Sequence, residues 1–188
     1  MRKLKLTELN RLSTAEFKDA QKLPVAVVLD NVRSAMNIGS VFRTCDAFLL
    51  EALYLVGISA QPPNREILKT ALGATETVDW HYFENPADCI RQIRANEAEI
   101  ICIEQSDSSV MLQDYRPDAS KKTVLVFGNE VHGVSSPFIE ACDGCVEVPQ
   151  WGMQHSLNIS VRAGIVLWEV VSKLRGLTRV HASLPATE

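Results

Sequence analysis

Three stretches of this 188-residue chain concentrate side chains able to do chemistry. The first, Asp30 to Thr44, holds Asn31, Arg33, Asn37, Gly39 and Arg43 where a β-rich run gives way to a helix. Backbone N–H groups and the positive end of a helix favour an anion there, and guanidinium forks match phosphate oxygens. A helix capped by Asn37, with Arg43 on its surface, accounts for the same residues. The second stretch is Gly128-Asn129-Glu130-Val131-His132-Gly133-Val134-Ser135. Its glycines have P-loop spacing, but Val134 stands where a lysine must reach the terminal phosphates, so nucleotide hydrolysis is excluded. The plain alternative is a tight glycine turn with a solvated Glu130. The third stretch runs from Val148 to Ser160. Pro149 ends strand pairing, Gly152 permits a bend and Ser156 can cap a helix whose first turn would hold Asn158 and Ser160. Helix entry alone would also explain these residues. Neither G-x-G-x-x-G nor G-x-S-x-G occurs, which removes the dinucleotide fingerprint and the hydrolase elbow. Cys142-Asp-Gly-Cys145 has CxxC spacing without a second pair or histidines to complete a zinc site, and no metal is expected.

Alternating strands and helices would position these stretches. Strands are expected at Val25 to Leu29, Ala52 to Val56, Ile100 to Ile103, Val124 to Phe127 and Val146 to Val148. Helices are expected after Asn37 to about Phe48, near Glu66 to Leu72, Ala87 to Ala95 and Pro137 to Ala141, and from about Ser156 to Leu174. Strands apolar on both faces and alternating with helices indicate an α/β fold, a mainly parallel sheet with helices on both faces. Ligands in such sheets sit beyond the carboxyl ends of the strands, where all three stretches fall. In the last helix Leu157, Val161, Gly164, Trp168 and Val171 recur at intervals of four and three, a stripe for the core or for a dimer interface. Near the start, Ser13 and Glu16 have capping-box spacing, with Leu9, Leu12 and Phe17 as possible inward residues.

The composition is that of an ordinary globular domain, 46% hydrophobic and 22% charged. A net charge of −4 rules out an indiscriminate cationic coat. Residues 1 to 22 carry six basic and three acidic side chains and residues 162 to 181 carry four and one, each a net +3, which leaves −10 elsewhere. Two basic ends meeting in space would face phosphates; as solvated helices they would not. Five scattered cysteines suit a reducing compartment. Neither an export signal nor a membrane span is legible, so a cytoplasmic location is expected.

The pieces Asn37-x-Gly39-x-x-x-Arg43-Thr44, Gly128-Asn129-Glu130-x-x-Gly133 and Ser156-Leu157-Asn158-x-Ser160, in this order, resemble the three motifs of the SpoU/TrmH-type RNA 2′-O-ribose methyltransferases of the SPOUT superfamily. The likeness spans about residues 24 to 175. It implies a C-terminal deep trefoil knot, S-adenosylmethionine as cofactor, a homodimer, and transfer of a methyl group to a ribose 2′-hydroxyl of structured RNA, tRNA slightly ahead of rRNA. The implied domain covers 23–175, behind a basic helical extension (1–22) and before a tail (176–188). By motif, Gly128, Val148 and Leu157 would hold the cofactor with Glu104 and Gln105 nearby. Arg43 would be the central catalytic residue, with Asn37, Glu130, Ser156 and Asn158 orienting it, the substrate and the knot loop. Arg33, Arg43, Lys3, Lys5 and Arg11 would contact RNA. Val131-His132, the approach from Trp151 to His155, and Arg162, where a small residue is common, depart from the pattern; His132 and His155 are candidates for RNA contact or for capping and packing. The alternative is a noncatalytic knotted RNA-binding or assembly module.

Overall fold

The computed structural model describes residues 1–5, 12–153 and 156–176. Arg11, Leu9, His155 and the tail beyond Gly176 lie outside the described residues. Among the described residues, seven strands form one sheet, all neighbours parallel: β1 (Leu23–Asp30), β2 (Leu50–Val56), β3 (Asp79–Phe83), β4 (Glu99–Ile103), β5 (Val110–Met111), β6 (Thr123–Phe127) and β7 (Gly144–Glu147). Their spatial order is β3-β2-β1-β6-β4-β7-β5. The helices are α1 (Thr14–Asp19), α2 (Ala35–Ala47), α3 (Arg65–Ala71), α4 (Ala74–Thr77), α5 (Pro86–Ala95), α6 (Ser136–Ala141) and α7 (Ile159–Leu174).

The centre of the sheet explains the parallel arrangement. Alternate residues of β1 serve two cores: Val25, Val27 and Leu29 pack with α2, α3 and α7, while Ala26 and Val28 pack with Cys89 and Ile93 of α5 and Phe138 of α6. A strand buried on both faces needs no polar alternation. The strands and helices expected from the sequence are present, with ends shifted by a few residues. Two strands were not anticipated. β3 is an edge strand of Asp-Trp-His-Tyr-Phe, and β5 pairs only two residues, Val110 with Val146 and Met111 with Glu147.

Three local expectations need correction. α2 is capped by Ser34, whose hydroxyl accepts from the Asn37 N–H at 3.3 Å, so Asn37 is not the cap and its amide is free for other bonds. α7 begins at Ile159 rather than Ser156, because Asn158 is the cap: its Oδ1 accepts from Ser160 N at 2.9 Å and Ser160 Oγ at 2.7 Å. The stripe read as facing the core or a dimer interface lies largely on the outward face of α7. Ile159, Ala163, Val166, Leu167, Val170 and Val171 are buried, whereas Val161, Ile165 and Trp168 are 51%, 42% and 54% exposed. Val171 alone of the anticipated stripe is fully inside. In the capping box of α1, Ser13 and Glu16 exchange hydrogen bonds as expected; Phe17 is buried and Leu12 is exposed.

Candidate active site

The site grows from the carboxyl end of β1. Asp30 is wholly buried there and takes two donors, Asn31 Nδ2 at 2.8 Å and Ser135 N at 2.7 Å. A carboxylate this deep is tolerable only because both oxygens are hydrogen bonded. Asn31 turns the chain through the left-handed region, and its carbonyl accepts from Asn129 Nδ2 at 2.8 Å. Asn129 Oδ1 in turn accepts from Val131 N at 2.8 Å and His132 N at 3.1 Å. The loop after β6 is thereby tied to the loop after β1 by one asparagine.

Glycine is required twice in this loop. A Cβ on Gly128 would stand 2.1 Å from the backbone of Gly133 and Val134. Gly133 has φ +70°, and a Cβ there would meet Glu104 Oε2 at 2.3 Å. That close approach lets Glu104, just past β4, accept from Val134 N at 3.1 Å through Oε2 and from Gln105 N at 3.0 Å through Oε1. Gln105 Nε2 donates to Glu147 Oε1 at 3.0 Å, and Ser109 Oγ donates to Glu147 Oε2 at 3.0 Å.

The three motif stretches meet at Asn37. Its Nδ2 donates to Glu130 Oε1 and its Oδ1 accepts from Asn158 Nδ2, both at 3.3 Å. Residues 121 positions apart are thus joined through one amide whose orientation is fixed at both ends. Beside this relay lies a cavity of about 140 Å³ lined by Glu104, Gln105, Glu130, Val148, Ser156 and Leu157 among others. An apolar cleft of about 640 Å³ shares Val148, Gln150, Ser156 and Leu157 with it and extends past Trp151 and Met153. Carboxylates around the smaller space suit a cationic group, and the apolar cleft suits a flat heterocycle. Among the described residues, no group of His, Cys, Asp and Glu is placed to hold a metal ion, and no helix is long and apolar enough to cross a membrane.

Of the residues expected to act together, Asn37, Glu130, Ser156, Asn158, Glu104, Gln105, Val148 and Leu157 gather here, with Gly128 shaping the loop. Arg43 does not join them. It is exposed on another face of α2, between a cavity it shares with Lys69 and Thr70 and one it shares with Phe17 and Arg175. The second cavity brings Thr14 and Phe17 of the N-terminal helix and Arg175 of the C-terminal basic segment to one place; among the described residues, no basic side chain of the N-terminal segment lines it. Arg33, Lys3 and Lys5 are exposed. Sequence reasoning gave no role to Asp30, Asn129, Glu147 or Arg162. An aspartate ending an all-apolar strand was the available signal for Asp30, and Asn129 sat unassigned inside the second motif.

The SpoU rRNA Methylase family profile matches residues 24–168. The chain is 32% identical over 155 residues to the tRNA (guanosine(18)-2′-O)-methyltransferase of Aquifex aeolicus, covering 82% of this chain and 72% of that one. It is also 32% identical over 146 residues to a 23S rRNA (guanosine-2′-O-)-methyltransferase of Neisseria meningitidis, covering 78% and 57%. The crystal structure of the Aquifex aeolicus TrmH/SpoU tRNA modifying enzyme superposes with a TM-score of 0.73 at 30% identity, over 86% of this chain and 80% of that one. An AdoMet-bound rRNA methyltransferase from Sinorhizobium meliloti gives 0.76 at 28% identity, over 87% and 61%. A parallel α/β sheet with this strand order, the three meeting motif stretches and these matches make the chain a member of the SpoU rRNA methylase family.

Proposed function

We propose that the protein is an S-adenosylmethionine-dependent methyltransferase acting on a ribose 2′-hydroxyl of structured RNA in the cytoplasm. The observation that carries this reading is the Asn158–Asn37–Glu130 relay beside a carboxylate-lined cavity that opens into an apolar cleft. The names of the relatives support it, and tRNA is taken ahead of rRNA because the Aquifex enzyme named for tRNA is matched over 72% of its length, against 57% for the Neisseria enzyme named for rRNA. The catalytic domain is taken as 23–175, with the basic extension (1–22) and the tail (176–188) as RNA-contacting flanks.

The residues present fit the cofactor. Glu104, Gln105, Gly128, Val148 and Leu157 would hold it, and when bound it supplies a methyl group on a cationic sulfur. A ribose hydroxyl is a weak nucleophile, so the chain must align it, relieve it of its proton and keep water out. Asn37, fixed at both ends, holds Glu130 toward the cavity, and Ser156 with Asn158 keeps the knot-loop edge in register. Arg43 grips the RNA phosphate beside the target ribose; a guanidinium, a permanent cation with five donors and no acceptor, positions and stabilises rather than acting as a free base.

Arg43 reaches a site through a homodimer. Val161, Ile165 and Trp168 are exposed on one face of α7, and Trp168 packs on Phe48, which lines a cavity with Arg43 and Gly164; this supports the assembly. Each site then takes Arg43 from one subunit and the relay from the other. The knot belongs to the same reading: Lys173, near the end of α7, donates to the carbonyls of Leu112, Gln113 and Tyr115, which supports the segment after β5 wrapping the last helix.

Calorimetric titration with S-adenosylmethionine and S-adenosylhomocysteine, with ATP as control, tests the cofactor class, followed by methyl transfer to unmodified tRNA and rRNA. Binding of the methionine-derived pair alone is expected. Failure at millimolar ligand with RNA present would favour the noncatalytic module. Arg43→Ala is expected to abolish turnover while retaining most cofactor affinity. Mixing inactive Arg43→Ala and Glu130→Ala subunits should restore about a quarter of wild-type activity if half the dimers are mixed and each carries one intact site. No restoration would place Arg43 in its own subunit's site.

A further inference from the structure

Among the described residues, the transfer cavity is lined by one cation whose presence the reading above leaves unexplained. Arg162, at the end of the first turn of α7, lines the cavity with Glu104, Glu130 and Glu147. It is half-buried, and its Nε is fully buried without a hydrogen-bond partner. Burial works against its charge, while Glu104 and Glu130 act through space to sustain it.

The carboxylates do not claim it. Glu104 uses Oε1 for Gln105 N and Oε2 for Val134 N. Glu147 takes Gln105 and Ser109, and Glu130 takes Asn37. No ion pair within 4.0 Å joins Arg162 to an acidic side chain among the described residues. A guanidinium kept merely to neutralise the loop would sit in such a pair, since a partly buried charge is costly unless paired and hydrogen bonded. Here the acids are satisfied by neutral donors, and the guanidinium, its Nε buried and unpartnered, remains at the cavity wall.

We propose that Arg162 is a positioning residue of the transfer site that binds an oxyanion of a reaction component: the carboxylate of the methionine-derived cofactor, or an RNA phosphate beside the target ribose. Three carboxylates and one guanidinium around a space of about 140 Å³ give separate berths to the positive and negative groups of such a molecule. The proposal rests on the transferase reading.

The variants are Arg162→Met, which keeps the apolar stem and removes the charge, and Arg162→Lys, which keeps the charge without the fork. Each is titrated with S-adenosylhomocysteine and with 5′-methylthioadenosine, which lacks the amino-acid carboxylate, and with unmodified tRNA across a salt series. For a cofactor carboxylate, Arg162→Met loses about tenfold to a hundredfold affinity for S-adenosylhomocysteine and less than about threefold for methylthioadenosine. Arg162→Lys recovers part of that loss. For an RNA phosphate, both nucleoside affinities hold while RNA binding weakens and its salt slope falls by about 1. Equal losses for the two nucleosides with a lowered Tm, or no change in either arm, overturn the proposal. Wild-type protein that binds neither nucleoside overturns the cofactor reading instead, and the RNA arm then decides Arg162.

Discussion

The loops after β6 and after β7 both carry motif residues, yet they present different surfaces. Residues 128–135 are fastened at every turn: Asn129 to Asn31, Val134 to Glu104, Ser135 to Asp30, and Gly133 N to Asn129 O. Between Val148 and Ser156 the chain instead leaves Trp151 91% and Met153 85% exposed against an apolar cleft. The first loop is fixed before any ligand arrives, which spares ordering entropy at the reacting centre. The second presents apolar surface that only a ligand or partner can cover. A transfer site needs both: a rigid floor for alignment and an apolar wall to exclude water.

The contrast is broken most severely by Gly128→Ala. The added methyl would collide with backbone atoms at 2.1 Å, and backbone cannot swing aside as a side chain can. Overpacking there is expected to cost at least about 3 kcal/mol, read as a large fall in Tm or loss of soluble protein. Gly152→Ala, where an added Cβ meets nothing within 4 Å, should leave Tm nearly unchanged. Equal effects at the two glycines would show that the loops are not held differently.

Asn129→Ala is next. It deletes the bond to Asn31 O and both bonds from Val131 N and His132 N, at a residue only 6% exposed. A loss of about 2 to 4 kcal/mol is expected in chemical denaturation, with cofactor affinity falling as the loop loosens. A smaller loss, below about 1 kcal/mol, would mean that water replaces the asparagine readily.

A smaller effect tests the opposite end of β7. Asp143, just before the strand, accepts two bonds from Arg94 at 2.7 and 3.1 Å and one from Ile100 N at 2.8 Å. The Arg94 hydrogen bonds hold its carboxyl below the ordinary 3.8. A depressed carboxyl pKa contributes stability above the unfolded value and loses it as pH falls through the folded one. Asp143→Asn should therefore cost about 1 kcal/mol at neutral pH, after allowance for the pair's partial exposure, and progressively less as pH falls below the ordinary 3.8 and through the lowered folded value. A constant difference across that range would sever the link to this carboxylate.

How far the sequence revealed this arrangement depended on whether a signal was local. The β1, β2, β4 and β6 runs are apolar on both faces, so their identity as central strands was visible without partners. β3 was hidden because an edge strand has no such run: Asp79, His81 and Tyr82 are exposed. The α7 stripe left core and interface open because the helix is apolar on two sides, and periodicity cannot choose between Ala163–Val166–Val170 and Val161–Ile165–Trp168. Asn37 was found as a site residue, yet its relay depends on Ser34 taking the cap and on Asn158 arriving from 121 residues away. Arg162 stood out only as a departure, since nothing linear places it beside Glu104 and Glu130.

The mildest perturbation addresses the exposed wall. Trp151→Phe removes little buried surface, so stability should change by no more than about 0.5 kcal/mol. Its consequence belongs to binding. Trp80 packs edge-on against Phe42 and Trp168 leans on Phe48, so each has a ring neighbour, whereas Trp151 stands in solvent at the cleft mouth. Cofactor entry should change the wild-type tryptophan emission, and most of that change should vanish in Trp151→Phe while calorimetric affinity falls only severalfold. An unchanged fluorescence response in the variant would put the ligand away from this wall, and the cleft would then have to be explained by another chain covering it.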